Sequence, residues 1–259
     1  MRLLTYNLYF GGTDRAEKIL AVLTHADADV IALTEADDRA VVEMLAARLG
    51  MYHQWARGSG DRHVATLSRF PIVDWHIYNR PPLSQAALQT TLEIRPSPAG
   101  SEAEGVGVTI YNVHLLPYLL LPFELRRWQA VGCLLQIIRQ QQSGPHLLVG
   151  DFNAIAPGDR VLQHLHPPRM RWQQALQFNI IFRLALRRLL SAGYTDCFRA
   201  LHPADDGFTW MPPSPSIRYD YILADPTLAR ALTACRVVDD LPAVATASDH
   251  LPLMAEFEF

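Results

Sequence analysis

Short apolar runs alternate along the chain with longer stretches whose apolar positions recur every three or four residues. The first kind reads as buried or half-buried strand, the second as amphipathic helix. Strands are expected over 2–7, 29–34, 62–68, 71–78, 86–95, 106–114, 146–150, 217–223, 233–239 and 252–258. Helices are expected over 14–26, 37–49, 122–141 and 173–191. In the second helix Val41, Val42, Leu45 and Leu49 share one face. The third has Pro122 in its first turn and runs into Ser143-Gly144-Pro145, while the fourth stops at Gly193. No repeat divides the chain, and Pro212-Pro213-Ser214-Pro215 is too short to be more than a loop. One α/β domain over residues 1–259 is the expectation.

Composition narrows the class. Hydrophobic residues at 49% and charged residues at 19% exclude general disorder. A net charge of −3 argues against a protein that grips nucleic acid mainly by neutralising phosphates. Cys133, Cys197 and Cys235 are odd in number and far apart, which suits free thiols in a reducing compartment. The N-terminal residues are too polar for a signal peptide, and no run approaches the roughly 18 apolar residues of a membrane span. A cytoplasmic location is expected, with no protein partner predicted.

The chemistry-bearing residues follow the apolar runs. Asn7 follows Leu3-Leu4-Thr5-Tyr6, Glu35 follows Val30-Ile31-Ala32-Leu33-Thr34, and His114 ends a run that begins at Val108. Asp151 and Asn153 follow Leu147-Leu148-Val149-Gly150, and Asp249 and His250 precede the last strand. Asp220 lies inside Tyr219-Asp220-Tyr221-Ile222. Strand ends are where α/β folds place reactive groups. Taken singly, each residue has an ordinary structural explanation: a cap for Asn7, a helix acid for Glu35, turn formers for Asp151 and Asn153, an Arg218 partner for Asp220.

Together, Thr5-Tyr6-Asn7, Leu33-Thr34-Glu35, Asn112-Val113-His114, Gly150-Asp151-Phe152-Asn153, Tyr219-Asp220-Tyr221-Ile222 and Ser248-Asp249-His250 resemble the endonuclease/exonuclease/phosphatase superfamily. The segments occur in the order found there and span nearly the whole chain. The resemblance implies a four-layer α/β sandwich, in which two packed mixed sheets are flanked by helices. It also implies hydrolysis of phosphate esters with Mg2+, for which Mn2+ can substitute. Glu35 would be the principal metal ligand, with Asn7 and Asp249 beside it. Asp151 would activate water, Asn153 would bond the phosphate or that water, and His250 would contact the phosphate, oriented by Asp249 or Asp220. His114 would be a second phosphate-binding histidine. The resemblance leaves open whether Asp151 or His250 is the general base.

Two departures count against the AP endonuclease branch: Tyr9 stands where an acid is usual, and His114 where a Tyr is usual. The substrate is expected to be a nucleic acid, or a phospholipid or small phosphodiester. The second alternative rests on the apolar segment 115–123, which would dock on membranes, and on 178–184, which would form an amphipathic interfacial helix. An inactive scaffold relative would be expected to lack Glu35, Asp151 or His250, and all three are present. Among the remaining histidines only His63 is a candidate for the edge of the site, and a structural role is the expectation for the others.

Overall fold

The computed structural model describes residues 1–83, 85–94, 106–141 and 144–258. Two expected features, the strand end at Arg95 and the stop residue Ser143, lie outside the described residues. The chain opens with β1 (Arg2–Asn7), a 3-10 turn at Phe10–Arg15, α1 (Ala16–Ala26), β2 (Val30–Thr34) and α2 (Arg39–Leu49). Five strands follow: β3 (Tyr52–Ala56), β4 (Val64–Ser68), β5 (Ile72–Tyr78), β6 (Ala87–Ile94) and β7 (Val106–His114). Then come α3 (Leu121–Gln141), β8 (His146–Asp151), α4 (Pro168–Ala175) and α5 (Leu184–Ser191). The chain continues with β9 (Thr195–Asp196), α6 (Cys197–Leu201), β10 (Asp220–Ala224) and α7 (Pro226–Ala229). It closes with β11 (Leu232–Val237), α8 (Val244–Ala247) and β12 (Leu253–Phe257).

The strands form two six-stranded sheets, ordered β11-β12-β1-β2-β4-β3 and β5-β6-β7-β8-β10-β9. Each is mixed, with one parallel pair: β1 with β2, and β7 with β8. A parallel pair needs a crossover, and α1 and α3 provide them. Strand alternation then sorts the side chains. In the first sheet Leu4, Tyr6, Ile31 and Leu33 pack on α1 and α2; in the second Tyr111, Val113, Leu148 and Leu223 pack on α3 and α5. Leu3, Val30, Ile110, Val149 and Ile222 turn the other way and meet between the sheets. The result is the expected order of helices, sheet, sheet, helices.

This parity positions the chemistry. Asn7 shares the inner face of Leu3, Asn112 and His114 that of Ile110, Asp151 that of Val149, and Asp220 that of Ile222. Strands β1, β2, β7 and β8 end at the same edge, whereas β10, antiparallel to β8, begins there, with Asp220 opposite Asp151. His114 is likewise opposite Asp151. Gly150 makes this approach tolerable: its φ is 129°, and a Cβ would lie 2.0 Å from the Val113 carbonyl oxygen.

The expected helix over 173–191 is two helices. Phe178 and Asn179 adopt left-handed φ values of 57° and 56° between them, and no helix covers 178–183. Helix α5 begins where it does because the buried Glu124 carboxylate of α3 accepts the Ala185 N–H at 2.8 Å. The amphipathic interfacial helix weighed over 178–184, as the alternative to ordinary core packing, is therefore absent. Strands β3 and β9 were not expected, since Tyr52–Ala56 is half exposed and β9 has two residues.

Asn112 ties the layers together. Its amide donates to the Leu33 and Ala65 carbonyls of the facing sheet at 3.0 and 2.8 Å. Replacing it by Ala removes two buried hydrogen bonds. Urea unfolding of Asn112→Ala should show a loss of about 1–3 kcal/mol; a loss within error of zero would show that the tie contributes nothing.

Candidate active site

Asn7, at the end of β1, donates its side-chain amide to Glu35 Oε1 at 3.4 Å and to Asp151 Oδ2 at 3.0 Å. It therefore joins residues from both sheets. Its own Oδ1 accepts the Tyr9 N–H at 2.8 Å. Glu35 leaves β2 in a left-handed conformation, φ 47°, and receives the Phe10 N–H on Oε2 at 2.9 Å. Arg62 stands 3.6 Å from the same oxygen and 2.8 Å from Asp37. Burial would raise the Glu35 carboxyl, but the neighbouring His114 ring, the Phe10 amide N–H and the Arg62 guanidinium outweigh it and hold it below the usual range.

Asp151 closes β8, and its Oδ1 accepts the Asn153 N–H at 2.8 Å, an Asx turn that puts Asn153 at φ 47°. The turn-former explanation of these two residues is thus correct as well. Asn153 Nδ2 lies 3.2 Å from His114 Nε2, 3.0 Å from the Leu115 carbonyl and 3.2 Å from Asp151 Oδ2. His250 Nδ1 is 2.7 Å from Asp220 Oδ2, and its Nε2 is 3.8 Å from Asp151 Oδ2. Asp220 does not pair with Arg218, which is held by Asp159 and Asp196 at 2.8 and 2.5 Å. Ser248 fixes the last segment: its hydroxyl donates to the Asn7 carbonyl at 2.6 Å and accepts the His250 N–H at 3.2 Å. Asp249 Oδ2 accepts the Trp210 indole N–H at 3.3 Å.

The two histidines are electrostatically opposite. Burial pushes His114 down to about 4, leaving a neutral ring at pH 7. Burial also opposes charge on His250, but Asp220, Asp151 and Asp249 overcome it and lift the ring to about 10. Burial raises the Asp151 carboxyl, against the pull of His250. Burial also raises Asp249.

These groups open onto a cleft of about 380 Å³ lined also by Tyr9, Phe10, Arg62, Tyr118, Met170 and Trp210. Phe10, Arg62 and Trp210 went unnoticed in the sequence, where Tyr9 counted only as a departure from the AP endonuclease branch. His63, the candidate for the edge, instead accepts the Gly58 N–H and packs on Trp55, and its neighbour Arg62 lines the cleft. The only signal was the polar run Asp61-Arg62-His63 before β4, which does not say which residue turns inward. Segment 115–123 is a cleft wall rather than a free lip: Leu115 and Leu119 are buried, and Arg127 holds the Leu116 and Tyr118 carbonyls at 2.6 and 2.8 Å.

Among the described residues, Asp151, Asp220 and His250 bring ligand-type atoms within 4.8 Å of one another. His250 Nδ1 and Asp220 Oδ2 are already bonded to each other, so this trio is a hydrogen-bonded relay more than a cation cage. Asn7, Glu35 and Asp249 offer oxygen donors of the kind a hard divalent cation prefers. The Oδ1 atoms of Asp220 and Asp249 are buried without a partner, as an acceptor set awaiting positive charge would be.

The sequence profile of the endonuclease/exonuclease/phosphatase family matches residues 4–250. The chain belongs to this family. It is 32% identical over 127 residues to exodeoxyribonuclease III of Haemophilus influenzae, covering 45% of this chain. That match spans about half, 47%, of the relative's length. Solved structures share the fold over 100% of both chains: a Neisseria 3′ phosphatase bound to product DNA hairpin, TM-score 0.74 at 23% identity, and an AP endonuclease from Archaeoglobus fulgidus, TM-score 0.75 at 20% identity. The likeness to these two structures is one of fold. The lipid-directed alternative is not favoured, because its docking segment is a cleft wall pinned by Arg127.

The raised His250 sets a pH signature. Its folded pKa lies above the ordinary value of about 6.5, so the stability it contributes is full below that pH and is lost as pH rises through about 10. In metal-free protein, Asp220→Asn should move the His250 ring pKa, followed by NMR, down toward about 6.5. An unchanged titration would show that Asp220 is not what holds the charge.

Proposed function

We propose that this chain is one catalytic domain that hydrolyses phosphate esters of nucleic acid with Mg2+, or Mn2+ in its place. One observation carries the reading: the Asn7 amide reaches both Glu35 and Asp151, so acidic residues from two sheets face a single cleft. The names of the relatives point to DNA as the polymer. The three free cysteines are in keeping with a reducing, cytoplasmic setting.

Glu35, with Asn7 and Asp249, would hold the metal, and the unpartnered buried Asp249 Oδ1 supports that assignment. When bound, the cation supplies neutralisation of the phosphate and of the leaving oxygen. Asp151 takes the proton of the attacking water on Oδ2, oriented by the Asn153 N–H on Oδ1. His250 is a poor base because Asp220 keeps it cationic, and its Nε2–H instead donates to a non-bridging phosphate oxygen. Neutral His114 offers a further phosphate contact next to Asn153. Asp220 acts through His250 and is a positioning residue.

The test is Mg2+-dependent hydrolysis across single- and double-stranded DNA, RNA, a 3′-phosphorylated strand, sphingomyelin and an inositol polyphosphate, with EDTA as control. Glu35→Ala, Asp151→Ala and His250→Ala should each lower kcat on the order of 10²-fold or more in proteins that remain folded. Undiminished activity in Asp151→Ala would refute the mechanism, and turnover of sphingomyelin alone would overturn the substrate class.

A further inference from the structure

Between Leu115 and Tyr194 the chain carries nine arginines and three carboxylates, and those three, Glu124, Asp151 and Asp159, are all buried. The surface of this stretch shows solvent no anionic side chain, in a protein whose net charge is −3. Four of the arginines are engaged: Arg127 by Glu124, Arg160 by Asp206, Arg183 by the Ala156 and Asp159 carbonyls, and Arg188 over the Trp128 ring. Arg126, Arg139, Arg169, Arg171 and Arg187 have no carboxylate partner among the described residues.

One of these free cations borders the cleft. Arg169 lines it together with Met170 and Gln173 of α4. Trp172, 64% exposed, is three positions from Arg169 and so lies on the same side of the helix. Tyr118, 49% exposed, lines the same cleft. Gln177, just past α4, ties this helix to the Tyr118 segment: it donates to the Leu119 carbonyl at 2.6 Å and accepts the Leu121 N–H at 3.2 Å. The lip is a built surface: Arg169 and Tyr118 line the cleft, and the exposed Trp172 ring lies on the Arg169 side of α4.

Guanidinium groups bind phosphate oxygens, and exposed rings stack on bases. Bases inside a duplex hide their faces, whereas those of a single strand can be splayed onto a ring. We propose that the lip of Arg169, Trp172 and Tyr118, continued by Arg171, binds a single strand of nucleic acid running out of the cleft, the arginines on its phosphates and the rings on its unpaired bases. This rests on the phosphoesterase reading of the cleft and adds a strand-binding subsite to it. An anionic bilayer would satisfy the arginines but offers no planar groups to the rings.

The experiment measures binding of a fluorescent single strand, and of an abasic strand of equal length and charge, to the full chain in EDTA across a salt series. Trp172→Ala should weaken the base-bearing strand about tenfold and leave the abasic strand unchanged. The Arg169→Gln/Arg171→Gln protein should lose about 1.4 from the slope of log K against log salt for both strands, near 0.7 per phosphate contact. Thermal melting of each variant, matching wild type, excludes unfolding. Equal affinity for the two strands, an unchanged salt slope, or lip-dependent capture by phosphatidylserine vesicles in place of strand binding would each overturn the proposal. Hydrolysis without lip-dependent binding would remove this inference alone; lip-dependent binding without hydrolysis would instead remove the phosphoesterase reading.

Discussion

The hydrogen bond from the Asn7 amide to Asp151 crosses the gap between two sheets whose inner faces are otherwise packed with Leu, Val and Ile. Everything polar in the cleft depends on how that gap closes. Sheets packed face to face stand roughly 10 Å apart, too far for most side-chain pairs to bond across, so a polar contact forms only where an amide or carboxylate leans in at the end of the layer. Asn112 makes the deeper tie and Asn7 the outer one. Between them they set the spacing of Glu35 from Asp151. Burying carboxylates there is costly unless positive charge or hydrogen-bond donors accompany them. The chain supplies donors from Phe10, Asn7 and Asn153, and cations from Arg62 and His250.

Two imidazoles near Asp151 Oδ2, His114 at 3.6 Å and His250 at 3.8 Å, illustrate how environment assigns roles. His114 has a donor, Asn153 Nδ2, beside its Nε2 and no carboxylate in hydrogen-bond range, so burial decides and the ring is neutral. His250 has Asp220 at 2.7 Å, and the carboxylate wins against the same burial. A charged ring stabilises negative phosphate oxygens; a neutral one can donate or accept. Such opposed pairs, set by neighbours rather than by residue type, are a recurring feature of acid–base sites.

A second buried network keeps this arrangement in place without entering it. Arg218 bonds Asp159 and Asp196, Tyr221 donates to Asp159, and Arg199 reaches Asp159 as well. It lies two residues before Asp220, so it anchors the start of β10 and thereby the carboxylate that holds His250. Its two arginines and two aspartates balance in charge, as a buried cluster must.

Much of this was legible in the chain. The apolar runs marked most strands, and the polar residues just beyond them marked Asn7, Glu35, His114, Asp151 and His250 as site candidates, because strand period and strand end are local properties. Periodicity failed where long-range contacts set the boundary: α5 starts at Leu184 because Glu124, sixty-one residues away from Ala185, accepts an N–H there. It also could not separate Arg62 from His63, or say whether Asp220 would meet Arg218 or His250. Sequence alone thus determined which residue types sit at the ends of which strands. Only the tertiary structure decided which of them face one another, since partner choice depends on sheet order and on the gap between layers, which no local spacing encodes.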